Sequence, residues 1–213
     1  MNMYVISLPI CAFLFGSIPF GLLIGRVFYG TDITKHGSGN IGTMNAMRTL
    51  GTKGAIAVLL LDTLKGFIPT FIAVHVFAKY FNANGFADPA FARYVTLVAA
   101  LAIIGHCFSP WLHFKGGKGV ATGFGAILGI AWPVAVIALA AWIIVAVSTR
   151  YSSLSSMLGC VVAAVTLWLL TYSPWLTAWG IFITLLIIYT HRDNLNRLRN
   201  GTENRIRRRQ NQG

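Results

Sequence analysis

The sequence predicts an all-α integral membrane protein of about seven membrane helices, with the N-terminus outside and the C-terminus in the cytoplasm. Three observations lead there. Hydrophobic residues make up 56% of the chain and charged ones only 10%, and the mean hydropathy is +0.69, a balance far from that of a soluble domain. The apolar residues fall in runs long enough to cross a bilayer. The basic residues crowd the intervals between those runs, where they set the orientation.

Residues 3 to 25 form the first span, with no basic residue before the apolar run and no small-residue cleavage site, so it is read as retained. Arg26, Lys35, Arg48 and Lys53 follow it, which places the loop from 29 to 53 in the cytoplasm. Within that loop Gly37, Gly39 and Gly42 spell G-x-G-x-x-G. The match follows a membrane span and not a β-strand, so it is set aside as a dinucleotide fingerprint. It is read instead as a tight turn offering Ser38, Asn40 and Asn45 as neutral donors and acceptors beside Gly42, with Arg48 able to grip a phosphate in bidentate fashion. A helix cap with solvated polar residues is the plainer alternative.

The second span, 54 to 78, carries Asp62 and Lys65 three apart on one helical face. Ionisable groups inside a membrane pair or face a wet cavity, and a structural and a functional salt bridge both fit. His75 reads as packed or interfacial. Residues 79 to 92 form an outer loop with Asn82, Asn84, Gly85, Asp88 and Pro89 as turn residues, and the third span, 93 to 112, returns the chain inside. It leads into Lys115-Gly116-Gly117-Lys118-Gly119. Consecutive exposed N–H groups flanked by two ammonium groups suit an oxyanion. The spacing is not that of a nucleotide P-loop, because Gly119 follows Lys118.

Residues 120 to 147, with Gly125, Gly129 and Pro133, fit one long span or a helical hairpin. A hairpin turning near Trp132-Pro133 is chosen because it keeps Arg150 to Ser156 inside, although segments of roughly 13 to 15 residues are short for a crossing. Two further spans, 156 to 171 and 175 to 190, turn at Ser173-Pro174. Of the 17 basic residues, all but Lys65, Lys79 and Arg93 then lie on the cytoplasmic side. Residues 1–199 read as one polytopic domain. Residues 200–213 read as a basic cytoplasmic tail whose Arg205, Arg207, Arg208 and Arg209 lie on anionic headgroups.

The net charge of +12 suits anionic substrates and membrane lipids more than nucleic acid, and no nucleic-acid partner is expected. The polar clusters around Ser38, Lys118, Ser153 and His191 fall on one membrane face and are expected to form one site. That site is poor in carboxylates: Asp32, Asp62, Asp88, Asp193 and Glu203 are the only acids in the chain, and no two make an obvious Mg²⁺ or Zn²⁺ cage. No metal and no cofactor are expected. Cys11, Cys107 and Cys160 stand singly and read as inert thiols.

Five stretches, in order, carry a resemblance: Gly37-Ser38-Gly39-Asn40; Asp62-x-x-Lys65-Gly66; Gly105-His106 through Thr122; Arg150-Tyr151 with its serines; and His191-x-x-Asn194-x-x-Arg197-Leu198. Together they resemble the bacterial acyl-phosphate-dependent glycerol-3-phosphate acyltransferases, the PlsY family, over nearly the whole chain. The resemblance implies a multi-pass enzyme of the bacterial cytoplasmic membrane with its active site on the cytoplasmic face. Its reaction moves a fatty acyl group from acyl phosphate to the 1-hydroxyl of glycerol 3-phosphate, giving lysophosphatidate for phospholipid synthesis, and its donor comes from an upstream acyl-phosphate-forming enzyme. The candidate catalytic residues are Ser38, Lys118, His191 and Asn194. The candidate substrate- and phosphate-binding set adds Asn40, Gly42, Asn45, Arg48, Lys65, His106, Lys115, Gly116, Gly117, Gly119, Ser153 and Ser156.

Two departures stand out. Where the family has Asn-x-Gly-Ala-Thr-Asn, this chain has Asn40-Ile41-Gly42-Thr43-Met44-Asn45, and Ser109-Pro110 places a proline one position late. No histidine is followed by an acid five positions later, so the His-x4-Asp dyad of soluble-type glycerolipid acyltransferases is absent. Acyl phosphate is already activated, so positioning and charge stabilisation suffice. The base that takes the hydroxyl proton is either a substrate phosphate or His191. The alternative from another class is a membrane carrier for an organic phosphate, against which stands the lack of inverted repeats.

Overall fold

The computed structural model describes residues 3–81, 83 and 85–206, and among them the chain is helical with no strand. The helices are α1 (Met3–Ser17), α2 (Phe20–Tyr29), α3 (Thr43–Thr49), α4 (Gly51–His75), α5 (Phe77–Tyr80), α6 (Pro89–Cys107), α7 (Val120–Ile130), α8 (Trp132–Thr149), α9 (Ser152–Thr171), α10 (Pro174–Thr190) and α11 (Arg192–Arg199). Short 3₁₀ turns lie at Ile33–Lys35, Gly85–Ala87 and Pro110–Leu112. The expected turn residues Asn82 and Asn84, and Arg207, Arg208 and Arg209, lie outside the described residues.

Four segments are long and apolar enough to cross a membrane: Gly51–Tyr80, Pro89–Leu112, Trp132–Thr149 and Ser152–Thr171. Two bent pairs, α1 with α2 at 45° and α10 with α11 at 61°, bring the number to six. The first span is therefore not the single helix the sequence predicts. Pro19 lies at its break and caps α2, and a proline ring both lacks the N–H and crowds the preceding turn. Helix α7, with 11 residues, is about 16 Å long and reaches halfway through a hydrocarbon core of about 30 Å. The chain reverses at Ala131, next to the expected Trp132-Pro133, and this returns α8 to the end from which α7 departed.

Helices pair closely wherever glycine lets backbones touch, as expected where lipid offers no hydrophobic drive for association. A β-carbon on Gly16 would stand 2.2 Å from the Ala102 carbonyl, and one on Gly105 would stand 2.3 Å from that of Phe13, so α1 and α6 are reciprocally notched. The same device joins α4 to α7, where a β-carbon on Gly66 would stand 2.0 Å from the Thr122 carbonyl and one on Gly125 2.0 Å from that of Thr63. Helix α6 begins on a strong cap: the Asp88 carboxylate accepts from the N–H groups of Ala90 and Phe91 at 2.8 and 2.9 Å.

The break between α1 and α2 leaves carbonyls without helical donors, which inside a membrane must be satisfied by protein. Lys65 donates to the Ile18 carbonyl at 2.9 Å, the Ser109 hydroxyl to that of Ser17 at 2.6 Å, and the Trp111 indole to the Ser17 hydroxyl at 2.9 Å. Lys65 also pairs with Asp62 at 2.8 Å and is fully buried. The pair thus ties α4 to the break between α1 and α2. Ser109, one of the departures from the family pattern, serves the same break. His75 packs on Phe71, ring centroids 4.2 Å apart.

Candidate active site

One cavity of about 660 Å³ runs between α4 and α7 on one side and α8, α9 and α10 on the other. Its polar end gathers the four clusters that lie far apart in the sequence: Ser38 and Arg48, Lys118, Ser153, and His191 with Asn194. Asn40, Gly42, Asn45, His106, Gly119 and Ser156 also line it, whereas Lys65, Lys115, Gly116 and Gly117 do not.

The first wall is the loop before α3. Asn45 is buried, its carbonyl oxygen accepting from the Ser38 N–H at 2.8 Å and its amide donating to the Ile33 and His36 carbonyls at 2.8 and 3.1 Å. Its hydrogen-bonding capacity is thus largely used on the loop, which corrects the expectation of a free phosphate donor. Asn40 accepts from the Gly42 N–H at 2.9 Å. Gly37 has φ of +60° and would set a β-carbon 2.3 Å from the Asn45 side-chain oxygen, so the glycine pattern serves loop closure. What the loop presents outward is the exposed Ser38, with Arg48 beyond it on α3.

The glycine-lysine run behaves differently from an anion cradle. Gly116 and Gly117 donate their N–H groups to the carbonyls of Cys107 and His106 at 3.0 and 2.9 Å, and β-carbons there would stand 2.0 Å from the His106 carbonyl and 2.0 Å from His106 Nε2. Their glycines permit close packing on the end of α6, and their N–H groups are not available to a phosphate. Lys115 is exposed. The loop instead delivers Lys118 and, through the left-handed Gly119 at φ +86°, the N-terminus of α7. The N–H groups of the first turn of a helix have no helical acceptors and favour an anion.

Lys118 donates to the Asn194 side-chain oxygen, and its carbonyl accepts from Thr190 at 3.0 Å. Burial, followed by the nearby Arg197 charge, lowers its pKa to about 8, against the pull of Glu203 and Asp193 and with a further push from Arg48. His191 is buried, with Nδ1 2.8 Å from the Ile187 carbonyl. A carbonyl only accepts, so Nδ1 carries the proton and Nε2 is left as an acceptor. His106 is also buried, its Nδ1 3.8 Å from Asp62. Ser156 accepts from the Trp142 indole at 3.2 Å and donates to the Ser152 carbonyl at 2.8 Å.

Glu203 is the residue that sequence reasoning missed. Instead of trailing over headgroups, residues 200–206 return to the site: the Ile206 N–H donates to the Arg150 carbonyl at 2.8 Å, and Arg205 donates to the Tyr151 hydroxyl at 3.2 Å. Between them Glu203 accepts from Ser153 at 2.9 Å, from Asn194 at 2.6 Å and from Arg197 at 2.8 Å. Burial would raise its carboxyl, but the hydrogen bonds from Asn194, Ser153 and Arg197 together hold it below the usual carboxylate range. The signal available was a lone acid in a basic stretch, six residues after Arg197. Among the described residues no three His, Cys, Asp or Glu side chains group as metal ligands.

A family model described as glycerol-3-phosphate acyltransferase matches residues 6–201. The chain belongs to that family. It is 42% identical over 207 residues to the glycerol-3-phosphate acyltransferase of Rhodopseudomonas palustris (strain BisB5), covering 97% of each chain. To that of Brucella suis (strain ATCC 23445 / NCTC 10510) it is 40% identical over 205 residues, covering 96% of this chain and 94% of the relative. Among solved structures it is similar to PlsY, an integral membrane glycerol 3-phosphate acyltransferase, in the glycerol 3-phosphate form, with TM-score 0.86 and 36% identity over 96% of each chain. The lysophosphatidic acid form of the same protein matches with TM-score 0.84. This glycerol-3-phosphate acyltransferase family member therefore shares the all-helical, integral membrane architecture of its solved relatives.

Proposed function

We propose that this protein transfers a fatty acyl group from acyl phosphate to the 1-hydroxyl of glycerol 3-phosphate, giving lysophosphatidate and inorganic phosphate. The observation that carries the reading is the shape of this cavity. Its polar end joins Lys118, Arg48 and Arg197 to Ser38, Ser153, His191 and Asn194, and continues directly into an apolar groove. Such a cavity suits a phosphorylated, water-soluble acceptor meeting a lipid-soluble donor.

Acyl phosphate is a mixed anhydride. As the acceptor oxygen attacks the acyl carbon, the C–O bond to phosphate breaks and negative charge grows on the departing phosphate. Lys118 and the α7 N-terminus stand where that charge is stabilised by groups already oriented. Arg48 and Arg197 hold the glycerol 3-phosphate phosphate, and Ser38 and Asn194 orient its hydroxyls. The hydroxyl proton passes to a substrate phosphate oxygen or to Nε2 of His191, the one ring nitrogen left as an acceptor. The basic residues flanking the polar end support a cytoplasmic orientation in the bacterial inner membrane, where soluble glycerol 3-phosphate would reach the site.

The test uses purified protein in detergent with glycerol 3-phosphate and palmitoyl phosphate in the presence of EDTA. Lysophosphatidate and inorganic phosphate are expected in equal amounts, and palmitoyl-CoA alone is expected to give essentially none. Efficient turnover of the thioester, or loss of activity on chelation that Mg²⁺ restores, contradicts the mechanism.

A further inference from the structure

The polar end occupies only one part of the cavity. Beyond Val120 on α7 and Ser156 on α9, the lining turns to Phe124, Ile127, Ala163, Leu167 and Ile183, with Cys160 and Thr184 among them. The Thr184 hydroxyl is spent within the protein, on the carbonyls of Gly180 at 2.7 Å and Cys160 at 3.2 Å. The groove walls thus present hydrocarbon, and the Trp179 indole N–H at the far end is buried without a partner among the described residues.

The groove also has an end. Leu167 is fully buried and Trp179 is 5% exposed. A β-carbon on Gly180 would meet Leu167 Cδ1 at 3.1 Å and the Ala164 Cα at 3.2 Å, so α9 and α10 close on each other there without room for another carbon. From His191 to Trp179 along α10 is about 18 Å, and from Ser153 to Leu167 along α9 about 21 Å, at about 1.5 Å per residue. An extended alkyl chain advances about 1.25 Å per methylene, from C–C bonds near 1.5 Å, so about 14 to 17 carbons span the distance.

We infer that the protein measures its acyl chain, with Leu167, Trp179 and Ala164 as the floor that stops a chain of about 14 to 17 carbons. This rests on the acyltransferase reading above. The donor leaves a bilayer as apolar as the groove, so burial of hydrocarbon alone discriminates little between lengths. The floor discriminates because it is close-packed: a longer chain must displace α9 from α10 or buckle. A shorter chain leaves the floor unfilled and loses contacts there.

The experiment compares kcat/KM for acyl phosphates of about 10 to 20 carbons with glycerol 3-phosphate, using the purified full-length protein. The expected profile peaks at about 14 to 17 carbons and falls about tenfold or more at the longest donor, the size of penalty that overpacking imposes. Leu167→Ala lowers the floor and moves the peak to longer chains by about two carbons, the space its removed side chain vacates. Ala163→Leu raises it and moves the peak to shorter ones. Comparing lengths within one preparation cancels any loss of folded protein, and the wild-type profile stands without either variant. A flat wild-type profile, or an unmoved peak in both variants, overturns the floor while leaving the acyltransferase reading intact. Absence of product at every length overturns both.

Discussion

Gly117 rests against the His106 imidazole so closely that a β-carbon there would stand 2.0 Å from Nε2. His106 lies buried against the Asp62–Lys65 pair, so it can yield only towards the cavity that it also lines. Gly117→Ala is therefore expected to displace the loop carrying Lys118 and to lower kcat/KM by tenfold or more, the scale of a small misplacement of a catalytic group. Wild-type turnover by the folded variant would show that the loop tolerates the displacement.

Lys118→Ala and Arg48→Ala each remove a cation from the polar end. If they meet substrate phosphates out of water, each substitution costs on the order of 2–5 kcal/mol of transition-state binding. Steady-state kinetics of both purified variants give the answer, and near-wild-type transfer by either removes that residue from the phosphate site.

The lowered pKa of Lys118 predicts a pH limb. With a value of about 8 in the free protein, the ammonium is charged below that pH and is lost as pH rises through it. The kcat/KM for glycerol 3-phosphate should fall above about 8 with the slope of one proton. The limb in kcat should lie higher, because a bound dianion favours the charged form. Coincident limbs, or none below pH 10, would contradict the assignment.

Glu203 holds Ser153, Asn194 and Arg197 in one cluster. Its depressed carboxyl contributes stability that is fully present above the unfolded value of about 4.3 and is lost as pH falls through the lower folded-state value. Melting temperature should accordingly drop more steeply below about pH 4.3 in the wild type than in Glu203→Gln. At neutral pH Glu203→Ala, which removes the ion-pair partner of Arg197 and the acceptor of the Asn194 amide and the Ser153 hydroxyl, should destabilise by about 1–3 kcal/mol. Equal pH profiles would make the cluster dispensable.

Orientation is open to labelling. Single cysteines replacing Ala87 and Arg150, both exposed, in a background without Cys11, Cys107 and Cys160, should react from opposite faces of intact cells. Reaction of both from outside would break the parity on which the proposed topology rests.

The helical membrane class was legible because hydropathy reports burial in lipid directly, and the reversal before α8 followed from the need to bring Ser153 to Lys118. The break at Pro19 was not legible from hydropathy, since a kinked span is as apolar as a straight one. The polar clusters were readable as a set, yet individual roles were not. Asn45 and Asn194 are the same residue type at polar positions, and only the fold shows that Asn45 is spent on its own loop while Asn194 bridges Lys118 and Glu203. The glycines of the lysine loop misled for a related reason: a missing β-carbon suits an incoming anion and a neighbouring helix end equally well. Glu203 escaped because its partners lie up to 50 positions away.

The return of residues 200–206 to the site has a practical side. An affinity handle or fluorescent carrier joined directly after Arg199 would strip the polar end of the carboxylate that fastens Ser153 to Asn194. Such a fusion could still insert and reach the membrane in good yield while being catalytically impaired. Attachment beyond Ile206, or at the opposite terminus, leaves that fastening in place, so the position of the junction decides whether a tagged preparation reports on the enzyme or on its damaged form.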